Sequence, residues 1–172
     1  MFLTWSGPEG SSHTNLCLCA PFLYMQNEVL MKEALKEAAK AFKEDEVPVG
    51  CVIVKDSIVI SKAHNKKESK GSSIFHAEIE AIRKACKKLG TWHLDDCEMY
   101  VTLEPCMMCM GAIINSRIKK IYYATADPKG GAAKSIFDIK NIKGLNHYPE
   151  CEAGLMHEEA SNLLKNFFKN KR

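Results

Sequence analysis

The spacing of apolar residues switches between helical and strand-like along most of this 172-residue chain, and this alternation limits the fold more than any other feature. From Gln26 onward, apolar residues recur every three or four positions, which predicts an amphipathic helix. Residues 49–54 and 58–61 then have the pattern of two strands joined by a turn at Asp56-Ser57. An antiparallel hairpin is therefore expected to open the sheet.

Helical and strand-like segments continue to alternate after the hairpin. The predicted elements are a helix over residues 77–89, a strand over 99–103, a helix over 106–115, a strand over 119–124 and a last helix over 158–169. Strands separated by a helix pair in parallel, whereas a hairpin is antiparallel. We therefore predict the α/β class, as a three-layer α/β/α sandwich with a mixed central sheet.

The first 24 residues differ in composition from the rest, because they contain no lysine or arginine and a single acidic residue, Glu9. The apolar run at residues 16–24 is shorter than the ~20 residues that span a bilayer. No basic region precedes it, as one would in a signal peptide. We therefore expect an extraneous or disordered tail at residues 1–24, one folded domain at 25–172 and no membrane association. A docked N-terminal arm is the alternative.

Two short motifs at the starts of predicted helices contain metal-binding residue types. They are His76-Ala77-Glu78 and Pro105-Cys106-Met107-Met108-Cys109. Zinc is bound by imidazole nitrogen and thiolate sulfur, and a Cys-x-x-Cys in the first turn of a helix places both sulfurs on one side. We predict that His76, Cys106 and Cys109 bind one Zn²⁺ per subunit and leave the fourth ligand position open for water.

Glu78 follows His76 by two residues, so the two side chains diverge by about 200° on a helix. That direction suits a residue that is not a metal ligand. A carboxylate beside metal-bound water can act as a general acid and base, and we assign that catalytic role to Glu78. The combination of His-x-Glu with Pro-Cys-x-x-Cys is the signature of zinc-dependent nucleobase deaminases.

A Cys-x-x-Cys alone also occurs in redox pairs and in structural zinc sites. A structural zinc site would need a fourth ligand, and the remaining cysteines are poorly spaced for that purpose. We expect Cys51 and Cys86 in the core and Cys17 and Cys19 in the tail, whereas Cys97 and Cys151 near strand edges have no assigned role.

Further blocks of sequence carry a resemblance to a known family. Between residues 25 and 169 the chain closely resembles the bacterial tRNA-specific adenosine deaminases, which belong to the zinc-dependent cytidine and deoxycytidylate deaminase superfamily. The blocks are Glu46-Val47-Pro48-Val49-Gly50, Ala63-His64-Asn65, His76-Ala77-Glu78, Tyr100-Val101-Thr102-Leu103-Glu104-Pro105-Cys106, Asp127-Pro128-Lys129-Gly130-Gly131-Ala132 and Asn146-His147. The fold that this resemblance implies is cytidine deaminase-like.

The resemblance also implies an activity, which is hydrolytic deamination of adenosine to inosine at the wobble position of tRNA. The expected enzyme is a cytoplasmic homodimer that binds the anticodon loop of a tRNA, typically an arginine tRNA. The residues that the resemblance assigns to substrate binding are Asn65, Val49 and Ala77 at the flipped base, Asp127 and Lys129 along the path of the anticodon loop, and His147 on the substrate side.

The formal net charge of the chain is only +3, so RNA must be held by a local surface. Phe167 and Phe168 precede Lys169, Lys171 and Arg172 at the end of the last helix. A narrow helix face cannot bury both aromatic rings, and we predict that Phe168 contacts RNA beside these charges.

Two other functions remain open at this point. One is deamination of a free base or nucleoside such as guanine or cytosine. The other is a non-catalytic zinc-binding role.

Overall fold

The computed structural model describes residues 19–171, with side chains from Met25 onward. The elements in chain order are α1 (Cys19–Lys43), β1 (Gly50–Lys55), β2 (Ile58–His64), α2 (Ala77–Leu89), β3 (Cys97–Leu103), α3 (Met107–Asn115), β4 (Lys120–Thr125), a 3₁₀ turn (Ile139–Asn141), β5 (Glu150–Ala153) and α4 (His157–Asn170). No helix in this part of the chain is both long and apolar enough to cross a membrane.

The strands of the described chain form one five-stranded sheet in the order β2-β1-β3-β4-β5. Strand β1 is antiparallel to both β2 and β3. Strands β3, β4 and β5 are parallel to one another, because the chain returns to the same end of the sheet between each strand and the next. The prediction of a mixed central sheet is confirmed.

Helices cover both faces of the sheet, which confirms the predicted three-layer sandwich. On one face, Ile53, Val101 and Ile121 pack with buried residues of α2 and α3. On the other face, Val52 and Tyr100 pack with buried residues of α1 and α4. Alternate residues of each strand thus enter different cores, as the two-residue period of a strand requires.

Gly50 allows α1 to lie directly against the start of β1. A Cβ atom at this position would lie 2.0 Å from the Ala34 carbonyl oxygen and 2.4 Å from the Ala38 amide nitrogen. Both are backbone atoms of α1 and cannot move aside independently of the helix. This close approach fixes the beginning of β1, next to which the candidate site is built.

The structure differs from the sequence predictions in three places. Strand β5 was missed, because its polar–apolar alternation extends over only four residues at the edge of the sheet, which is too short a signal to distinguish a strand from a loop. Helix α1 begins at Cys19, inside the segment predicted to be a tail. Residues 1–18, which include Cys17, lie outside the described residues. The domain boundary at residue 25 stays a prediction.

The third difference concerns the cysteines. Cys97, which had no assigned role, is buried at the first position of β3 and belongs to the core between the sheet and α2 and α3. Cys51 is buried there as predicted, and Cys86 and Cys151 pack against the same core from partly buried positions. These four thiols are free and serve packing.

Candidate metal centre and active site

The two predicted metal-binding motifs lie at the N-termini of neighbouring helices. His76 is the N-cap of α2 and Cys106 is the N-cap of α3, and both have extended backbone conformations. Neither side chain makes a capping hydrogen bond to its own helix. Cys109 lies in the first turn of α3. All three side chains are therefore available to a common centre.

The structure brings His76, Cys106 and Cys109 together, with their ligand atoms all within 4.8 Å of one another. The Nδ1 atom of His76 lies 3.7 Å from the sulfur of Cys106 and 3.6 Å from that of Cys109. A tetrahedral zinc ion places its nitrogen and sulfur ligands about 3.6 Å apart, given bonds of ~2.0–2.1 Å and ~2.3 Å. The three atoms fit such an ion.

The pKa values in this cluster are strongly linked. Hydrogen bonds from Cys109 and then from His76 lower the pKa of the Cys106 thiol to about 4, against the opposing effect of burial. The hydrogen bond to Cys106 raises the pKa of His76. The bond to Cys106, together with burial, raises the pKa of Cys109. Two neighbours thus stabilise one thiolate, and a divalent cation among the three atoms would stabilise the second.

Glu78 lies in the first turn of α2 next to the cluster, with only 3% of its surface exposed. Burial raises the pKa of its carboxyl group to about 7. Its Oε2 atom is buried and has no hydrogen-bond partner among the described residues. A buried carboxylate with a free oxygen and a pKa near neutrality can both accept and donate a proton.

The three residues expected at the flipped base are linked by two hydrogen bonds, and one of them, Ala77, directly follows His76 in the chain. The side-chain Oδ1 of Asn65 accepts a hydrogen bond of 3.0 Å from the backbone N–H of Ala77. The backbone N–H of Asn65 donates to the carbonyl oxygen of Val49 at 3.1 Å. Asn65 thus ties the end of β2 both to the start of α2 and to the residue preceding β1.

The loop that follows β4, residues 126–135, lies against the Cys106 segment. Cys106 and Gly131 form an isolated antiparallel bridge, and the N–H of Ala132 donates to the Pro105 carbonyl at 2.8 Å. Within the loop, Asp127 Oδ1 accepts a hydrogen bond of 3.0 Å from the N–H of Lys129, whose side chain is exposed. Asp127 and Lys129 therefore belong to a loop that packs against the segment containing Cys106.

His147 is not brought to this cluster. Its Nε2 atom is hydrogen-bonded to the carbonyl oxygen of Ile118 at 2.6 Å. Ile118 precedes β4, whereas Cys106 follows the end of the parallel strand β3, so the two lie at opposite ends of the sheet. A contact between His147 and substrate stays a prediction.

Phe167 and Phe168 separate as expected for adjacent residues on a helix. Phe167 is buried against Phe42, with ring centroids 5.8 Å apart in an edge-on arrangement. Phe168 is 51% exposed and lines a surface cavity with Thr125 and Ala126, the residues at the end of β4. Its exposed ring is therefore on the same end of the sheet as the 126–135 loop.

Sequence analysis missed a role for the carboxylate of Glu104. This residue is buried between the end of β3 and Cys106, and it binds backbone groups of the 126–135 loop. The available signal was an acidic residue within the otherwise apolar run that leads into the metal-binding motif. Buried acids require specific partners, so such a position merits attention in any sequence.

The mixed sheet, with His-x-Glu at the start of one helix and Pro-Cys-x-x-Cys at the start of the next, defines the nucleobase deaminase class. A family model for MafB19-like deaminases matches residues 25–172.

Among curated relatives, the chain is 44% identical over 147 residues to a tRNA-specific adenosine deaminase of Bacillus subtilis, covering 86% of this chain and 91% of the relative. It is 47% identical over 148 residues to one of Aquifex aeolicus, covering 86% and 97%. A solved structure from studies of A-to-I editing by tRNA:A34 deaminases superposes with a TM-score of 0.77 at 41% identity, covering 79% of this chain and 99% of that one. The chain belongs to the family of tRNA-specific adenosine deaminases.

Proposed function

We propose that this protein converts adenosine to inosine at the wobble position of a tRNA anticodon by hydrolytic deamination. The observation that carries the proposal is the buried Glu78 carboxylate, whose unpartnered oxygen lies beside a three-residue metal-ligand set. The identity of 44% and 47% to tRNA-specific adenosine deaminases supports the choice of substrate. Since that substrate is tRNA, we place the enzyme in the cytoplasm.

We propose that His76, Cys106 and Cys109 hold one zinc ion per subunit. Two thiolates and an imidazole favour zinc over harder cations, and the spacing of the three atoms fits tetrahedral coordination. Zinc bound there would supply a Lewis acid that makes water a competent nucleophile at neutral pH.

Glu78 would carry the protons of the reaction. Its free Oε2 receives a proton from the attacking water and returns it to the ring nitrogen next to the reacting carbon of adenine. Glu78 then takes the remaining proton of the water from the hydroxyl group added to the carbon and gives it to the amino group, which leaves as ammonia, so that water and adenosine give inosine and ammonia. A pKa of about 7 suits both directions of transfer at neutral pH.

Asn65 would orient the base. Because the N–H of Ala77 occupies Oδ1 of Asn65, the group that remains for substrate is the amide nitrogen, a hydrogen-bond donor. We propose that it donates to an acceptor atom of the flipped adenine. Val49 and Ala77, which are buried and hydrogen-bonded to Asn65 through backbone atoms, would form the apolar wall of the base pocket.

The RNA around the target base would follow the end of the sheet from the 126–135 loop to α4. Phe168 and the exposed Lys165 and Lys169 line a surface cavity of about 480 Å³ next to the end of β4. An exposed aromatic ring stacks on a base of any sequence, while the lysines neutralise phosphates. We propose that the anticodon loop of an arginine tRNA contacts this cavity together with Asp127 and Lys129.

We propose that the enzyme is a homodimer formed through the outer face of α3. Met107, which is 60% exposed, lines an apolar groove with Ile114, Phe137, Ile142 and Leu145. An exposed apolar surface of this kind marks an interface. A Met107→Lys substitution should shift the mass measured by light scattering from dimer to monomer, whereas a wild-type monomer would refute this part of the proposal.

The activity can be tested by incubating the purified protein with an arginine tRNA anticodon stem-loop and, separately, with adenosine, guanine and cytidine. We expect inosine in the stem-loop and no product from the three small substrates. Product from guanine or cytidine alone would support a free-base or nucleoside deaminase. No product from any substrate, with zinc bound, would support a non-catalytic role.

A further inference from the structure

Glu104 holds the 126–135 loop from beneath. Only 2% of its surface is exposed, and its carboxylate accepts hydrogen bonds from five groups of the loop. These are the backbone N–H groups of Asp127, Ala133, Lys134 and Ser135 and the hydroxyl group of Ser135.

The two carboxylate oxygens of Glu104 have different partners. Oε1 accepts from three successive N–H groups, those of Ala133 at 3.1 Å, Lys134 at 2.8 Å and Ser135 at 2.9 Å. Oε2 accepts from the N–H of Asp127 at 3.0 Å and from the Ser135 hydroxyl. The carboxylate therefore joins the beginning of the loop to its end.

The same segment is also joined to the metal ligands. Glu104 donates its backbone N–H to Thr125 at 2.9 Å, and the next two residues, Pro105 and Cys106, contact the loop through backbone atoms. At Gly131 a Cβ atom would lie 2.3 Å from the Glu104 carboxylate, so the loop packs against it without room for a side chain. Three consecutive residues thus carry both a metal ligand and the anchor of the loop.

Asp127 connects Glu104 to Lys129 through hydrogen bonds. Its backbone is held by Glu104, and its side-chain Oδ1 accepts the N–H of Lys129 at 3.0 Å. A Cβ atom at Gly130 would lie 2.8 Å from the Asp127 carboxylate, so this part of the loop is also closely packed. The backbone N–H of Asp127 is therefore held by the Glu104 side chain, while its carbonyl oxygen accepts from Gly131, the residue that pairs with Cys106.

We propose that Glu104 is a positioning residue, which holds Asp127 and Lys129 in register with the metal ligands so that RNA bound by the loop presents its target base at the site. The inference rests on the proposed function and concerns substrate binding. Glu104 is not part of the metal-ligand set and its carboxylate is bonded to the loop, so its substitution should raise the KM for RNA and leave the chemical step intact.

Glu104→Gln tests this with little change in shape. The amide oxygen of glutamine can still accept the three N–H groups of residues 133–135. The amide nitrogen then replaces Oε2 and faces the N–H of Asp127, and two donors cannot bond to each other. The Ser135 hydroxyl can rotate to accept instead. The substitution therefore removes the bond to Asp127 selectively.

The experiment compares wild type and Glu104→Gln with the arginine anticodon stem-loop, and it measures kcat, KM, zinc content and amide hydrogen exchange. We expect the KM to rise about tenfold, the size of effect that one charge-assisted hydrogen bond allows. The kcat at saturating stem-loop should stay within about twofold of wild type, with zinc retained. The Asp127 amide should exchange faster, while the amides of residues 133–135 stay protected.

Glu46→Gln is the matched control. Glu46 is also a buried carboxylate that holds a loop, because it accepts the N–H groups of Glu68 at 3.1 Å and Ser69 at 2.7 Å. Its substitution should speed amide exchange at residues 68 or 69 and leave Asp127 protected. A general loss of stability would instead raise exchange at both loops in both variants.

An unchanged KM in Glu104→Gln would overturn the proposal, whether or not kcat falls. Should that variant fail to fold, Ser135→Ala removes only the hydroxyl partner of Oε2, and we expect a KM increase of about threefold. An unchanged KM in Ser135→Ala would then overturn it. If the wild type forms no inosine in the stem-loop, the proposed function fails, and with it the role of Glu104 in RNA binding, whereas exchange at Asp127 still reports whether Glu104 anchors the loop.

Discussion

Two buried glutamates, Glu78 and Glu104, each lie two residues along the chain from a proposed metal ligand, and their environments are opposite. Glu78 follows His76 by two residues and has a carboxylate oxygen without a partner in the described structure. Glu104 precedes Cys106 by two residues, and five donors bind its carboxylate. Burial raises the pKa of Glu78 to about 7. Burial also acts to raise the pKa of Glu104, but hydrogen bonds from Ser135 and its neighbours hold that pKa below its usual value.

The difference shows that burial alone does not make a carboxylate catalytic. Both side chains are removed from water, yet only Glu78 has an oxygen that can exchange a proton with a substrate. The donors around Glu104 favour its ionised form, which keeps its pKa below the usual value, and they hold the carboxylate in place. The number of hydrogen-bond partners therefore separates the proposed proton carrier, Glu78, from the proposed anchor, Glu104.

The largest effect should distinguish the two residues kinetically. Glu78→Gln should lower kcat by about 10² to 10⁴, the usual contribution of general acid–base catalysis, because an amide cannot carry the proton. Zinc should be retained, since Glu78 is not a ligand, and metal analysis would check this. Substantial kcat in Glu78→Gln would remove the catalytic side of the comparison.

Substitution of Glu104 should lower the stability of the fold more than substitution of Glu78. Glu104→Leu leaves four loop N–H groups, one buried and three partly buried, without this acceptor and should lower the free energy of unfolding by about 3 kcal/mol or more. Glu78→Leu removes a buried oxygen that has no partner, and it should leave stability unchanged or raise it by about 1 kcal/mol. Urea unfolding of both variants measures this, and equal losses would contradict the distinction.

The pH dependence of stability should have opposite signs for the two groups. Glu78 has a folded pKa of about 7, above the ordinary value of 4.5, so its contribution is present below pH 4.5 and is lost as pH rises through 7. Glu104 has a lowered folded pKa, so its contribution is present above pH 4.5 and is lost as pH falls through that lowered value.

Unfolding of the zinc-stripped protein between pH 4 and 8 would reveal both contributions without interference from metal loss. Relative to wild type, Glu78→Gln should become more stable as pH rises from 4.5 to 7. The deficit of Glu104→Gln should be constant in that range and shrink at lower pH. The same pH trend in both variants would show that the two environments do not differ as described.

The smallest effect should come from a contact at the loop surface. Lys129→Ala should weaken stem-loop binding a fewfold and reduce the log–log salt slope by about 0.7, as expected for one phosphate contact on single-stranded RNA. Unlike Glu104→Gln, it should leave the Asp127 amide protected from exchange. Lys87→Ala, an exposed lysine at the far end of α2, is the control and should leave the slope unchanged.

The metal ligands and the fold could be predicted because their signals are local in sequence. Ligand residue types at fixed spacing marked His76, Cys106 and Cys109, and apolar periodicity marked four of the five strands of the described sheet. Strand β5 pairs with β4 through backbone groups over only four residues, of which Cys151 alone is partly buried, so its two-residue period is too short to mark a strand in the sequence.

Glu104 and His147 show where sequence reasoning ends. Four of the five donors that bind Glu104 are backbone N–H groups 23 to 31 residues away, and backbone groups are the same in every sequence. His147 was assigned to the substrate side by resemblance, whereas its ring is bonded to the Ile118 carbonyl at the other end of the sheet. Both facts depend on which distant segments meet, which only the folded structure shows.

The pairing of Leu103 with Thr125 at the ends of two parallel strands has a consequence for how such a protein can change. The segment that contains Cys106 and the 126–135 loop leave the sheet side by side, so we expect residues inserted after Gly130 to alter the reach of the loop while the proposed metal ligands stay in place. A one-residue slip within β3 would instead turn Glu104 to the opposite face and displace Cys106 with it. Insertions in the loop would thus change which substrates bind, whereas β3 can accept substitutions but no change of length.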